Sequence, residues 1–575
     1  MKTISRRTFL RKGSAFLFGG SLFTGGQSAI FAQGGPLPDL GAMSLEEKVG
    51  QLVIARLQDW PLTEKYAKQG IISGLTPSLT KLSPREVAEF TNRFQKLSKY
   101  PLLLGFGGVS YSGGTDLRLG QAMRLAATRS RELCREAARV EAVEARALGY
   151  HLAGVPNLDV NTSPDNPIIN LRSLGDNVDL VTELGSELAR GTLDGGAASL
   201  LMHFPGHGAS SGDSHIAIPE IRRSLAELET VDFKPFAEVI RRGLARAVCT
   251  NHCHYPALEP DRTIPATLSR KIVTGLLREK LGFDGVIMSD SLTMRAIKDN
   301  YGIEEAAIET VAAGHDMILQ DYNSDPRITI DALARAVRKE RIPLAQVEQS
   351  ITRVWRLKRE LGLFANRLVD VEKLPERFAT KAGAEVARRI ARESVTLLEN
   401  RGLPVSPTAK LAVISNGGSA TVEQDLAWKF SPTNHLLNEQ VRQRHPDART
   451  LVLSSALKPE EIERAFAAAQ AADVVVFGLF TRVRSYAEDA ICVPARYREL
   501  IARTAAAGRA VALLNFGNPY VMAELPKAAV ALCTFSDAEA SIDAAVEALF
   551  GSLQPKGLLP VRISEAYPFG FGLKT

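Results

Sequence analysis

The chain has 575 residues, of which 45% are hydrophobic and 23% charged, and its formal net charge is +6. At ~150 residues per domain this length asks for two to four units, and the composition is that of an ordinary globular protein without internal repeats or low-complexity tracts. Five scattered cysteines exclude a disulfide framework.

The first element in chain order is a leader. "SRRTFLRKG" (Ser5 to Gly13) precedes a weakly apolar stretch with a small-residue exit near Ala32. Residues 1–32 therefore read as an export signal. Adjacent Arg6 and Arg7, followed by Phe9 and Leu10, give it the twin-arginine character of proteins exported already folded. A periplasmic or extracellular location is expected. The leader carries Lys2, Arg6, Arg7, Arg11 and Lys12 and no acid, so removing it takes the net charge from +6 to +1. Such a mature chain offers no electrostatic case for a nucleic-acid partner. No later segment has the uninterrupted apolar length of a membrane helix, so no stable membrane span is expected once the signal is removed.

Residues 36–381 alternate between short apolar runs and longer amphipathic segments. The runs are "IISGLTPSL", "PLLLGF", "HLAGVPNLDV", "AASLLMHF", "RAVCTNHC", "GVIMSD" and "HDMILQ". Between them lie stretches such as "SRKIVTGLLREKLG", with apolar residues three and four apart and a glycine (Gly282) where a helix would end. Repeated strand–helix units of this length predict an α/β fold, either a closed TIM-like (β/α)8 barrel or a doubly wound open sheet. The polar residues favour the barrel. Asp159, His203, His252 and Asp290 each fall at or near the C-terminal end of an expected strand, and a barrel gathers those ends on one face.

A second alternation follows in residues 382–575, where "KLAVIS", "TLVLSS", "DVVVFGLF", "AVALLNFGNP" and "AVALCTFS" read as core strands. This predicts a second α/β domain with a mostly parallel sheet. The cysteines lie mostly in apolar surroundings, as buried free thiols do. "CTNHCH" lacks the second ligand cluster of a zinc finger.

Two places could carry chemistry. Asp290 follows an apolar strand, so it either opens its carboxylate onto the catalytic face or caps the next helix. The segment "LLMHFPGHGASSGDSHIAIP" (Leu200 to Pro219) holds three of the nine histidines, His203, His207 and His215. Asp213 and His215 project to one side if that segment is extended, and a carboxylate beside an imidazole orients it for proton transfer. The competing reading is a metal site on His203, His207 and His215, for which a glycine-rich loop is a poor frame.

Together, "HFPGHGASSGDSH", "GFDGVIMSDSLTM", "PNLDVNTSPDNPIINLRSLG" and "AGHDMILQ" resemble glycoside hydrolase family 3, in its β-N-acetylglucosaminidase branch. The resemblance starts at "MSLEEKVGQL" and continues to "GLLPVRISEAYPFGFGL" in the second domain. It implies a retaining, exo-acting hydrolase of a terminal β-linked sugar, most simply N-acetylglucosamine. The substrate would be an amino-sugar oligosaccharide or cell-wall fragment, and no cofactor or metal is needed. Asp290 matches the nucleophile, His215 the general acid/base on a mobile loop, and Asp213 its partner. Arg172 and His203 match residues that contact the reacting sugar. His207 is expected to be structural.

The chain departs from the family at two positions. The usual Lys before the first histidine is Met202, and where an Asp-x-Glu-Gly-Gly element follows "PLLLGF" this chain reads "GFGGVSYSGG", with Gly107 in place of the Asp. These changes leave open another β-glycoside specificity, a non-catalytic carbohydrate-binding homologue, and phosphorolysis.

Overall fold

The computed structural model describes residues 36–574, apart from 57–58, 78, 80–81, 106–113, 154–155, 321–322 and 417–432. Its first half contains seven parallel strands: β1 (Val53–Ala55), β2 (Gly74–Leu75), β3 (Leu103–Leu104), β4 (Leu200–Phe204), β5 (Ala247–Thr250), β6 (Val286–Met288) and β7 (Ile318–Leu319). They pair as β3-β2-β1-β7 and as β4-β5-β6.

Single parallel bridges join the two sheets. Leu152 bridges Gly105 and Ala198, and Met288 bridges Met317. The segment around Leu152 is thus an eighth stave, and the ring closes into a TIM-like barrel. Its wall is apolar: Ile54, Leu103, Leu200, Met288 and Ile318 are all buried. At ~25 cal/mol per Å² of apolar surface, burying each such side chain contributes about 1.5–3 kcal/mol.

Helices follow the staves and are fixed by local signals. Ser83 caps helix Pro84–Leu97 reciprocally with Glu86, Ser130 caps Arg131–Ala147 and Asn177 caps Val178–Asp194, each cap contributing about 1 kcal/mol. The segment Lys271–Lys280 is helical as its pattern requires, but wound as a π-helix. Gly282 follows its end at φ +66, as expected of a terminating glycine.

The second unit is a six-stranded sheet, ordered β10-β9-β11-β12-β13-β8. Its strands are β8 (Thr396–Asn400), β9 (Leu411–Asn416), β10 (Arg449–Leu453), β11 (Val474–Leu479), β12 (Ala510–Asn515) and β13 (Val530–Cys533). All pairs are parallel except β8 with β13. The chain is therefore a barrel followed by a second, mostly parallel α/β domain.

Helix Lys381–Ser394 packs into both cores: Val386 and Ile390 join a barrel-side cluster with Leu133 and Leu184, and Ala391 joins the second domain's cluster with Val413 and Leu532. Between the domains Asp537, fully buried, accepts from Arg118 Nη1 at 2.5 Å and Arg482 Nε at 2.6 Å. Among the described residues no helix is long and apolar enough to cross a membrane.

Candidate active site at the barrel mouth

The C-terminal strand ends bring the expected residues to one face. Asp290 follows β6 by two residues, His252 follows β5 by two, and His203 lies within β4. The next helix after Asp290, Arg295–Ala313, starts five residues beyond it and has Met294 at its cap position. Asp290 is thus not the cap; its Oδ1 accepts the Ser291 N–H at 2.7 Å. Burial alone would raise this carboxyl, but the His203 and His252 imidazoles and the Ser291 N–H outweigh it and hold the group at about 2. A carboxylate so poised stays ionised at any physiological pH.

Asp159 organises the next layer. It is fully buried; burial acts to raise its carboxyl, and the bonds from His203 and His207 pull it below its ordinary value. Its Oδ1 accepts from the backbone N–H of His203 at 3.2 Å and of His207 at 2.6 Å, and its Oδ2 accepts the His203 Nδ1–H at 2.8 Å. That fixes the tautomer. His203 Nε2 is left as an acceptor for Arg172 Nη2, 3.2 Å away. Arg172 and His203 therefore form one unit, and the Met202 thioether lies 3.9 Å from the same guanidinium.

The loop after β4 carries the second pair. His215 Nδ1 and its backbone N–H both donate to Asp213 Oδ1, at 2.8 and 2.7 Å. The segment is not extended, as the alternation argument supposed. Ile216 and Ala217 both donate to Asp213 O, so residues 213–217 form a turn, and Asp213 reaches its partner by capping it locally. Buried Asp213 would be raised by desolvation, but bonds from His215 and Tyr486 bring it below its ordinary value.

The loop's glycines serve close packing. A Cβ on Gly208 would stand 2.0 Å from Val160 O, so only glycine lets this turn lie on the neighbouring stave. His207 is buried and ties the loop inward, its Nε2 lying 2.9 Å from Ser214 Oγ. The three histidines do not converge as metal ligands would: the ring nitrogens of His203 face Asp159 and Arg172, His207 faces Ser214, and His215 faces Asp213. His252 likewise spends Nδ1 on Thr267 Oγ1 and Nε2 on Ser291 O.

Several contributors escaped the sequence. Arg56, directly after β1, donates to Ser291 Oγ at 2.6 Å, beside Asp290. From the second domain, the Tyr486 N–H donates to Asp213 Oδ2 at 2.8 Å, Ser485 Oγ lies 3.2 Å from His215 Nε2, and the Tyr486 ring meets the His215 ring edge-on at 5.3 Å. No local signal marks these positions, which are some 270 residues from the pair they touch. Gly107 lies outside the described residues. The first acid after that stretch, Asp116, pairs with Arg118 at 2.9 Å.

Comparison with known proteins identifies the family and the fold. Residues 44–357 match the family described as "Glycosyl hydrolase family 3 N terminal domain" and residues 395–569 its C-terminal domain. The chain is 35% identical over 234 residues to "Beta-hexosaminidase A" of Pseudoalteromonas piscicida, a match covering 38% of this chain and 39% of that protein's length. It is 30% identical over 403 residues to "Beta-N-acetylglucosaminidase/beta-glucosidase" of Cellulomonas fimi, covering 66% of this chain and 70% of that one. Among solved structures, a glycoside hydrolase family 3 beta-N-acetylglucosaminidase from Paenibacillus sp. str. FPU-7 superposes with a TM-score of 0.78 at 28% identity, over 91% of this chain and 99% of that one.

Proposed function

The chain belongs to glycoside hydrolase family 3, and from that premise we propose that it is a retaining, exo-acting hydrolase that removes a terminal β-linked N-acetylglucosamine. One observation carries the mechanism: the Asp213–His215 pair is tied to the segment that follows the ionised Asp290, where the Arg295 N–H donates to His215 O at 3.1 Å.

In the first step an Asp290 oxygen bonds to the anomeric carbon as the glycosidic C–O bond breaks, and protonated His215 gives its Nε2 proton to the departing oxygen. In the second, His215 Nε2 takes a proton from water as the water oxygen bonds to that carbon and the Asp290 ester bond breaks. Two inversions retain the β configuration, and every bond change is carried by Asp290, His215 and water. Asp213 keeps the Nδ1 proton in place and stabilises the imidazolium that enters the first step and forms again in the second. Arg172, aligned by His203 and Asp159, holds the sugar's hydroxyl groups.

Met202 contributes an apolar thioether beside Arg172 rather than a charge, so the sugar pocket relies on Arg172. The proposal includes export through the leader 1–32, which lies outside the described residues, and hence action on oligosaccharides or wall fragments beyond the cytoplasm.

The test is hydrolysis of chromogenic β-glycosides by the mature protein beside Asp290→Ala. N-acetylglucosaminide should lead, with glucoside, xyloside and galactoside slower, and the variant should lose at least about a thousandfold in kcat. A folded protein that binds sugar but turns over none of the panel would establish a carbohydrate-binding homologue instead.

A further inference from the structure

The second domain does more than cover the barrel. Its loop Arg482–Ala490 is closed at the base, where the Arg482 N–H donates to Ala490 O at 3.0 Å. The Arg482 side chain is moored to buried Asp537 and to Thr433 Oγ1, at 2.6 and 2.8 Å. The same Asp537 carboxylate takes Arg118 from the barrel. The base of the loop is therefore tied to both domains through one carboxylate, and its tip reaches the Asp213–His215 pair.

At that tip Tyr486 is in the left-handed region, with φ +65. A bulky residue there is strained by contact of its Cβ with the neighbouring carbonyl, and such strain persists only where surrounding contacts determine it. What the conformation achieves is an aim: the Tyr486 N–H points at Asp213 Oδ2, 2.8 Å away. A carboxylate can rotate about its Cβ–Cγ bond. With Oδ2 pinned by Tyr486, Oδ1 is the oxygen that faces His215 Nδ1. The Tyr486 ring, edge-on to the imidazole, restricts the ring's own rotation. Ser485 Oγ stands beside Nε2, the atom from which the leaving oxygen must take its proton, and so occupies that oxygen's place until substrate arrives.

We propose that the second-domain loop Arg482–Ala490 is the positioning element of the acid/base, and that Tyr486 is its working residue. This rests on the glycosidase reading above. It assigns the second domain a part in proton transfer, although Tyr486 itself touches no reacting atom.

Leaving-group dependence separates this role from a merely structural one. A 2,4-dinitrophenyl glycoside departs without protonation, whereas a sugar or 4-methoxyphenyl leaving group needs the proton. Using the sugar preferred in the panel, kcat/KM should be measured on both for the wild type, Tyr486→Pro, Tyr486→Ala and Tyr486→Phe. Tyr486→Pro removes the N–H donor and cannot adopt a positive φ. It should lose about 10- to 100-fold on the poor leaving group, part of the roughly 10²–10⁴ that a general acid supplies. On the dinitrophenyl substrate it should stay within about threefold of the wild type, which also shows that the fold is intact. Tyr486→Ala should fall between them, and Tyr486→Phe should restore the poor-substrate rate. Equal losses on both substrates, or no loss on either, overturn the proposal. A wild type inactive on both overturns the glycosidase reading first.

Discussion

Asp159 grips His203 at two points, its Oδ1 on the backbone N–H and its Oδ2 on the Nδ1–H of the ring. The double contact sets both the position of the residue and the proton on its ring, and so decides that Nε2 faces Arg172 as an acceptor. Asp159→Asn presents an amide to three donors. Either the ring flips its tautomer and turns an N–H against the guanidinium, or the backbone contacts at His203 and His207 weaken. The expected outcome is a KM raised about tenfold and a stability loss of about 2–3 kcal/mol, the scale of a charged hydrogen-bond acceptor removed from a buried site. Steady-state kinetics beside urea unfolding check both. An unchanged KM would detach Asp159 from substrate binding.

With Asp290 as the proposed nucleophile, its ionisation should set the acid side of the pH profile. Its folded value of about 2 lies below its ordinary 3.8, so the ionised form is favoured by folding. That contribution, about 2 kcal/mol by linkage, is present above about pH 4 and is lost as pH falls through about 2. As the proposed nucleophile, Asp290 stays charged over the same range. kcat/KM on a dinitrophenyl glycoside, which bypasses the acid, should therefore be flat from pH 7 down to about pH 4. An acid limb near pH 5 in protein that remains folded by circular dichroism would contradict the assignment.

Much of this architecture was legible because the sequence repeats one physical pattern, an apolar run followed by an amphipathic helix, with chemistry-bearing side chains just past the runs. Asp290 and His203 could be read that way, and Asp213 and His215 were visible as an acid and an imidazole two positions apart, although the turn that joins them was not. β1 could not: only Val53–Ala55 are extended, and they follow helix Leu45–Gly50 so closely that the apolar spacing continues through both. The stave at Leu152 is held by single bridges and carries little strand pattern, although its apolar run was visible. β8 pairs antiparallel at the sheet edge, an exception to the alternation around it. Arg56, Ser485 and Tyr486 stayed hidden for another reason. Their role depends on where closure of the barrel and docking of the second domain place them, and local periodicity does not encode that.

The Arg118–Asp537–Arg482 cluster should be the strongest single link between the domains. Burial would raise the Asp537 carboxyl, but the two guanidiniums hold it far below its ordinary value. Asp537→Asn removes the negative charge between buried Arg482 and half-buried Arg118, and breaking a buried pair on one side costs about 3–5 kcal/mol. Calorimetry should show a lower Tm. Because Arg482 is also the base of the loop that reaches Asp213, activity on poor leaving groups should fall more than on dinitrophenyl glycosides. A lower Tm with both substrates equally affected would confine the cluster to stability.

Lys358 offers a case where a buried charge works against the fold. It is wholly buried beneath the barrel, and its ammonium donates to Ser73 Oγ at 3.0 Å and to Gln51 Oε1 at 3.4 Å, both neutral. Burial lowers its pKa to about 7, while the unfolded chain keeps the proton to roughly 10.4. Between those values the unfolded state binds more protons, so stability rises with pH; below about pH 7 the full penalty is present. Lys358→Met keeps the length of the side chain and removes the charge. Gln51 Oε1 retains the Trp355 Nε1–H at 3.1 Å, so only the Ser73 hydroxyl loses a donor. Set against a loss of about 1 kcal/mol for that bond, relief of the penalty should leave the variant about 2–4 kcal/mol more stable at pH 6. The gain should shrink toward zero by pH 10, where the wild-type lysine is already neutral in the folded state. Urea unfolding at the two pH values measures it, and a variant equally destabilised at both would mean that the hydrogen bonds to Ser73 and Gln51 outweigh the cost of the charge.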